Sequence, residues 1–174
     1  TRLIGNGMYL LLKHPEQLKL LRNDRSLMDN AIEEVLRFEP PVQFMPRFAT
    51  EDIEFYGKKV KKNQLLLVII ACANRDEVAN PNGEVFDITR ESVKHVSFGH
   101  GIHLCLGMAL ARLEARIVFK AILDRFPNMG MGSQDVTWSN NMFVRGVERL
   151  VVECGETALT PILDSGDQCR ATRH

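Results

Sequence analysis

The sequence predicts a mainly α fold with a small β-sheet, and three observations support that class. Residues 106–126 carry apolar side chains at helical spacing and form the strongest helical pattern of the chain. Two further helical segments end at prolines, at His14-Pro15 and at Pro40-Pro41. Short apolar and aromatic segments between residues 42 and 71 have the length of strands. Most of the regular structure is therefore expected to be helical.

Three helices are expected in the N-terminal part of the chain. The first runs from Thr1 to Lys13 with no capping residue before it, so the sequence resembles part of a longer chain. Pro15 suits the first turn of a short second helix. The third helix is expected to start at Ser26, which together with Asp29 resembles a capping box in which Asp replaces Glu.

Short strands are expected next, over residues 42–49, 53–56 and 65–71. Gly57-Lys58 stands where a tight turn between two strands belongs. The third of these segments is the longest continuous apolar run, which is typical of a buried strand.

The second half of the chain begins with loop chemistry. Asn80-Pro-Asn-Gly83 predicts a loop, and an irregular stretch is expected from there to His95. After the helix of residues 106–126, the segments 138–145 and 149–154 are expected to form a final strand pair.

Composition limits the class of protein. The 174 residues are 45% hydrophobic and 25% charged, which suits one globular domain, expected over residues 1–154. The polar, aperiodic tail of residues 155–174 is expected to be disordered. The 22 basic and 22 acidic residues balance, which argues against a dedicated nucleic-acid binder. No apolar run is long enough to span a bilayer. The four cysteines are widely spaced and form no CxxC pair, so disulfides are not indicated and a reducing, cytoplasmic location is expected.

The segment Phe98-Gly-His-Gly-Ile-His-Leu-Cys-Leu-Gly107, here named the Cys105 loop, carries most of the chemical information. Gly99, Gly101 and Gly107 tolerate positive φ and carry no side chain, so backbone can lie against a flat ligand. Cys105 falls at the start of the strongest helix, where free N–H groups and the helix dipole favour a thiolate. The alternative is a buried structural cysteine in an ordinary loop.

The Cys105 loop matches the pattern FGxGxHxCxG, and through it residues 1–153 resemble the cytochrome P-450 family of haem-thiolate monooxygenases. The resemblance implies the C-terminal part of that family's fold, with Cys105 as the axial ligand to the iron of a haem b. It also implies that Phe98 packs on the thiolate side of the haem. Gly99 and Gly107 would line the haem, and His103 could donate to a propionate.

Glu34-Val-Leu-Arg37 matches the ExxR motif of the same family. A Glu and an Arg three residues apart share one helix face and can form an ion pair. In the family this pair braces the irregular segment before the cysteine loop, so its expected role is structural. Many members have an Arg at the place where this sequence has Val85, which leaves Arg90 and His95 as candidates for the third partner.

Further positions follow from the resemblance. Arg47 would contact a haem propionate, although an exposed strand arginine is the simpler alternative. No catalytic residue is assigned, because the family's acid-Thr pair would precede Thr1. The expected substrate pocket consists of residues 141–143 together with Val42, Gln43, Phe44 and Met45.

The resemblance implies the insertion of one oxygen atom from dioxygen into a small organic substrate. The electrons would come from a ferredoxin or flavodoxin-type donor. Arg112 and Arg116, one helical turn apart, are expected near the donor surface, or else paired with a local acid such as Glu114. Two alternatives remain open at this point: a truncated, catalytically incompetent haem-binding remnant, and a peroxide-driven relative that needs no donor.

Overall fold

The computed structural model describes residues 1–132 and 136–155, and its elements confirm the mainly α class. Its helices are α1 (Arg2–Lys13), α2 (Pro15–Asn23), α3 (Met28–Phe38), α4 (Ile70–Ala73) and α5 (Met108–Arg125). Its strands are β1 (Phe44–Phe48), β2 (Ile53–Phe55), β3 (Lys58–Val60), β4 (Leu65–Ile69), β5 (Met129–Met131), β6 (Thr137–Trp138), β7 (Val147–Arg149) and β8 (Val152–Cys154). Within the described residues the strands form four antiparallel pairs rather than one small sheet: β1–β4, β2–β3, β5–β8 and β6–β7.

The core lies where α1, α3 and α5 pack together. Leu11, Val35 and Phe119, one from each helix, are fully buried there. Gly7 permits this packing, because a side chain at that position would overlap the Phe119 ring. The arrangement fixes α5, and with it the Cys105 loop that precedes α5, against α3.

The predicted start of the third helix is wrong. A 3₁₀ turn over Arg25–Leu27 comes first, and α3 begins only at Met28. Ser26 does not cap a helix: its N–H and its hydroxyl both donate to the Asp24 carboxylate, at 2.9 and 2.6 Å. Asp29 makes no capping box because its carboxylate pairs with Arg116 on α5, at 2.5 Å.

The hairpin β2–β3 forms, but its turn lies one residue earlier than the predicted Gly57-Lys58, because Lys58 already belongs to β3. Tyr56 and Gly57 both adopt left-handed φ angles, 47° and 70°, as a two-residue hairpin turn requires. The expectation of a buried strand over residues 65–71 is wrong. That segment gives β4, which ends at Ile69 and is about half exposed, since β1 is its partner and the ribbon has no second layer among the described residues.

The predicted C-terminal strand pair is also wrong. β6 pairs with β7, whereas β8 pairs with β5, a strand that the sequence did not indicate. Residues 139–146 are loop rather than strand, because the Asn141 side chain accepts the N–H groups of Phe143 and Val144 and closes a tight turn. From residue 156 onward, the expected disordered tail lies outside the described residues.

The helix α5 has two apolar stripes. Ala115, Phe119 and Leu123 face the core, whereas Leu110 and Leu113 are about half exposed. Among the described residues, no helix combines the length and the apolar character needed to cross a membrane.

Candidate functional site

The Cys105 loop folds back on itself. Gly99 and Gly101 have left-handed φ angles of 76° and 65°, which favour glycine. The Cys105 N–H donates to the Phe98 carbonyl at 2.9 Å and closes the loop. At Gly99 a Cβ would lie 3.2 Å from the His103 carbonyl oxygen, so this glycine also provides room for the fold-back. The sequence motif thus produces one defined backbone shape.

Cys105 presents its thiol on the surface of the described structure. The helix α5 begins at Met108, two residues later than the apolar pattern suggested, and Gly107 is its N-cap. Cys105 therefore lies just before the first helical turn, where its carbonyl accepts the Met108 N–H at 3.3 Å. A Cβ at Gly107 would lie 3.9 Å from the sulfur, so glycine leaves that side of the sulfur open. The apolar side chains of Ile102 and Leu106 are fully exposed in the same loop.

The other residues expected to contact a flat ligand are distributed over two elements. Phe98, Gly99, His103 and Gly107 lie in the same loop as Cys105, with the His103 side chain exposed in a 3₁₀ turn. Arg47 lies on β1, opposite Leu66, and its exposed guanidinium donates to the Pro46 carbonyl at 2.8 Å. The Arg47 side chain therefore has free donor groups on a separate element.

Glu34 and Arg37 form a fully buried, bidentate ion pair. Arg37 Nε and Nη2 lie 2.7 and 2.8 Å from the two Glu34 oxygens. The remaining Arg37 donors reach the carbonyls of Asn74, Gly83 and Val85, at 3.1, 2.7 and 3.0 Å. Buried charges are tolerated when they are paired and hydrogen-bonded in this way. The pair thus connects α3 to the irregular segment between α4 and the Cys105 loop.

Arg90 is the third member of this ion-pair network. Its Nε lies 3.2 Å from Glu34 Oε1, which also accepts the Asp87 N–H at 2.9 Å. The Arg90 guanidinium also donates to the carbonyls of Pro81, Asn82 and Val85. Val85 contributes only its backbone oxygen to these bonds. Of the two candidates from the sequence, Arg90 therefore occupies the place, and His95 binds elsewhere.

A second charged cluster, here named the Glu33 cluster, consists of Glu33, His95 and Arg112. Arg112 Nε and Nη2 lie 2.5 and 2.8 Å from the two Glu33 oxygens, and His95 Nε2 lies 2.9 Å from Glu33 Oε2. Burial alone would raise the pKa of Glu33, but the hydrogen bonds from Arg112 and His95 lower that pKa to about 2. The Glu33 hydrogen bond in turn raises the pKa of Arg112.

The Glu33 cluster identifies the charged partner of Arg112. The sequence suggested a position near the donor surface, or a pair with Glu114 or another local acid. The structure pairs Arg112 of α5 with Glu33 of α3, and the position near a donor surface stays a prediction. The sequence contained one signal for this ion pair: an acidic residue, Glu33, directly before the glutamate of the ExxR motif. Residue spacing alone does not show which cation pairs with Glu33.

Asn74 is a further residue that sequence reasoning missed. It is buried at the end of α4, its Oδ1 accepts the Val96 N–H at 2.8 Å, and its Nδ2 donates to Ser97 Oγ at 2.8 Å. Ser97 Oγ donates in turn to the Leu36 carbonyl at 2.6 Å. Asn74 thus holds the residues immediately before the Cys105 loop against α3.

The expected substrate-pocket residues meet the C-terminal loop. Val42 forms an isolated bridge with Val144, and the rings of Phe44 and Phe143 lie 5.6 Å apart. An open groove of about 380 Å³ lies beside them. Its lining comprises Gln43, Phe44, Ser139, Asn140, Asn141, Met142 and Arg145. Met45 lies one residue further along β1, opposite Val68.

A metal site made by protein ligands alone is absent from the part of the chain that the structure describes, where no three His, Cys, Asp or Glu side chains cluster. A single thiolate can still hold an iron whose other ligands come from a porphyrin.

Comparison with known proteins identifies the family that the chain resembles. The sequence model of the family described as cytochrome P-450 matches residues 6–149. The chain is 43% identical to 6-deoxyerythronolide B hydroxylase of Saccharopolyspora erythraea, over 86% of this chain and 38% of that protein. It is 42% identical to the cytochrome P-450 monooxygenase PikC of Streptomyces venezuelae, over 87% of this chain and 37% of that protein.

Solved structures agree with the sequence comparison. The polyketide synthase cytochrome PksS of Bacillus subtilis superposes with a TM-score of 0.86 and 39% identity, over 89% of this chain and 41% of that one. P450BioI, in complex with an acyl carrier protein that carries hexadec-9Z-enoic acid, gives a TM-score of 0.85 and 40% identity, over 88% and 40%. The chain thus spans about two fifths of the length of the relatives it matches.

Proposed function

Because this chain belongs to the cytochrome P-450 family, we propose that the protein is a haem-thiolate monooxygenase that inserts one atom of dioxygen into a small organic substrate. The family uses haem, and the observation that carries the proposal for this chain is the exposed Cys105 thiol in its glycine-shaped loop. Cys105 would be the axial ligand of the iron.

The residues of the Cys105 loop fit a haem. The sulfur is free and exposed, Gly107 leaves its side open, and Ile102 and Leu106 offer exposed apolar surface to a flat macrocycle. Half-buried Phe98 belongs to the same loop, and its backbone carbonyl accepts the Cys105 N–H. The sequence contains no CxxCH motif, which would attach haem covalently, so haem b is the form proposed.

Two side chains have the chemistry to bind the haem propionates. Arg47 carries a planar guanidinium, which pairs with carboxylates through two parallel hydrogen bonds. His103, two residues before the ligand, carries a ring N–H donor. Both side chains are exposed in the described structure, so neither is committed to another buried partner.

The chemistry of the reaction would depend on the axial ligand. A bound haem iron would supply the redox chemistry of dioxygen, and Cys105 would tune that chemistry by donating electron density to the iron. The buried Glu34–Arg37–Arg90 network keeps the segment before the loop in place.

The groove beside β1 supports a substrate position. Gln43, Phe44, Asn141 and Met142 line it, and Val42, Met45 and Phe143 are their neighbours in the chain. Together these residues combine aromatic and apolar surface with a few amide groups. Such a mixture is typical of small-molecule sites. The electrons are proposed to come from a ferredoxin or flavodoxin-type donor.

The test is a spectrum of the reduced carbon monoxide complex of the haem-loaded protein. We expect a thiolate-type Soret band that disappears in Cys105→His and persists in Cys72→Ser, a matched control because Cys72 is also free and exposed. Retention of the band in Cys105→His would refute the ligand assignment.

A turnover experiment separates the functional alternatives. Oxygenated product that requires both a ferredoxin system and dioxygen supports the proposed monooxygenase. Product formed only with hydrogen peroxide would replace the electron donor with a peroxide-driven reaction. A thiolate-type spectrum without product across a broad substrate panel would favour a haem-binding remnant.

A further inference from the structure

The Glu33 cluster joins three parts of the fold next to the Cys105 loop. Glu33 belongs to α3, Arg112 to α5, and His95 to the irregular segment three residues before Phe98. The His95 side chain is nearly buried, and those of Glu33 and Arg112 are 27% and 33% exposed. A bidentate Arg–Glu pair of this kind is geometrically specific as well as attractive.

The cluster reaches Cys105 through Phe98. The Arg112 guanidinium lies over the Phe98 ring, 4.7 Å from its centroid, and the His95 ring lies 6.1 Å from the same centroid. The Phe98 carbonyl accepts the Cys105 N–H at 2.9 Å. A continuous series of contacts therefore runs from Glu33 through Arg112 and Phe98 to Cys105.

We propose that Glu33 and Arg112 are positioning residues for the thiolate ligand. Glu33 holds the Arg112 guanidinium against the Phe98 ring, and the fixed ring keeps the Phe98 carbonyl in place for the Cys105 N–H. This inference rests on the proposed function, because it concerns a sulfur that ligates iron. Groups that orient a metal ligand from behind tune both the affinity and the electronic properties of the site.

The neighbouring Glu34 has a different task. Its partners, Arg37 and Arg90, hold the irregular segment through the carbonyls of residues 74, 81–83 and 85. Those contacts lie upstream of the loop and include none with Phe98. Two consecutive glutamates of α3 thus support two consecutive parts of the chain, and loss of Glu33 is expected to affect the iron more than the fold.

The test compares Glu33→Gln, Arg112→Gln and the double variant with Arg116→Gln in the haem-loaded protein. Arg116 is a matched control, because it lies one turn further along α5 and pairs with Asp29 rather than with the loop. The readouts are the midpoint reduction potential, the share of the reduced carbonyl complex with the thiolate-type Soret band, haem affinity and thermal unfolding.

Both single variants are expected to shift the midpoint potential and to lower the share of the reduced carbonyl complex that shows the thiolate-type Soret band. They are also expected to weaken haem binding about tenfold. The double variant is expected to resemble either single one, because Glu33 and Arg112 act as one unit. Arg112→Lys is expected to restore the potential only in part, since an ammonium keeps the charge but not the planar stack.

Three outcomes would overturn the inference. The first is folded Glu33→Gln protein whose midpoint potential and share of thiolate-type carbonyl complex are unchanged. The others are an equal shift of the midpoint potential in Arg116→Gln, and a lower unfolding temperature of Glu33→Gln with no change in its spectrum. If Arg112→Gln does not fold, Glu33→Gln decides, because it keeps both hydrophobic packing and side-chain size. A wild-type protein without a thiolate-type band would refute the proposed function itself, which is a distinguishable result.

Discussion

Arg90 Nε lies 3.2 Å from Glu34 Oε1, so an arginine five residues beyond Val85 completes the buried network of Glu34 and Arg37. The same guanidinium binds three backbone carbonyls of the irregular segment, at 2.6–2.8 Å. One side chain therefore gives Glu34 a further charged hydrogen-bond donor and also closes the loop that begins at Pro81. The network tolerates an apolar residue at position 85 because that position supplies a backbone oxygen.

Replacing Arg90 with Gln is expected to lower the free energy of unfolding by about 1.5–3 kcal/mol, the range for hydrogen bonds to charged groups. Denaturant unfolding measures the change. The matched control is Lys61→Gln, which breaks an exposed ion pair with Asp52 and should cost less than about 1 kcal/mol. Equal losses for the two variants would show that Arg90 adds nothing beyond a surface ion pair.

Breaking the central pair is expected to cost more. Glu34→Gln leaves the fully buried Arg37 and the largely buried Arg90 without a counter-charge, and the expected loss is about 3–5 kcal/mol. Glu84→Gln is the control, since Glu84 is mostly exposed in its pair with Arg75. Yield and unfolding of both variants are compared. Stable, haem-loaded but inactive Glu34→Gln protein would contradict the structural role and point to a catalytic one.

The lowered pKa of Glu33 predicts a pH dependence of stability. The pKa falls from its ordinary value of 4.5 to about 2, so the charged form stabilises the folded state fully above pH 4.5. That contribution is lost as the pH falls from 4.5 towards 2. The difference in unfolding free energy between wild type and Glu33→Gln should therefore be constant above that window and shrink within it. A difference that grows as the pH falls would contradict the assignment.

Local features of the sequence predicted part of the geometry around the candidate site. The spacing of Glu34 and Arg37 places both on one helix face, and Gly99 and Gly101 adopt the positive φ angles that glycine allows, because each signal depends on neighbouring residues. Prolines likewise indicated where α2 begins and why α3 ends before Pro40.

Long-range partners could not be predicted in the same way. Glu33 and Arg112 are 79 positions apart in the sequence, and β5 pairs with β8 although β6 and β7 lie between them in chain order. Which cation meets which acid depends on how α3 and α5 pack, and spacing within either helix does not contain that information. The exposure of β4 could not be predicted for the same reason: an apolar run indicates a strand, but it does not show which other elements pack against that strand.

The glycines of the Cys105 loop give a prediction that separates backbone strain from steric overlap. Gly101 has a left-handed φ of 65° and open space around its Cβ direction, so Gly101→Ala introduces strain alone, about 1–2 kcal/mol. Gly99 has a φ of 76° and would also place a Cβ 3.2 Å from the His103 carbonyl oxygen, so Gly99→Ala should cost more and open the loop.

Gly130→Ala is the control for both, because Gly130 has open space and no left-handed φ. It is expected to be neutral or slightly stabilising, through the lower entropy of the unfolded chain. Haem affinity and unfolding free energy are measured for all three variants. We expect haem affinity to fall in the order Gly130→Ala, Gly101→Ala, Gly99→Ala, because the Cys105 N–H keeps its bond to Phe98 only while the fold-back persists. Haem affinity that is unchanged in Gly99→Ala would show that the sulfur position does not depend on this loop shape.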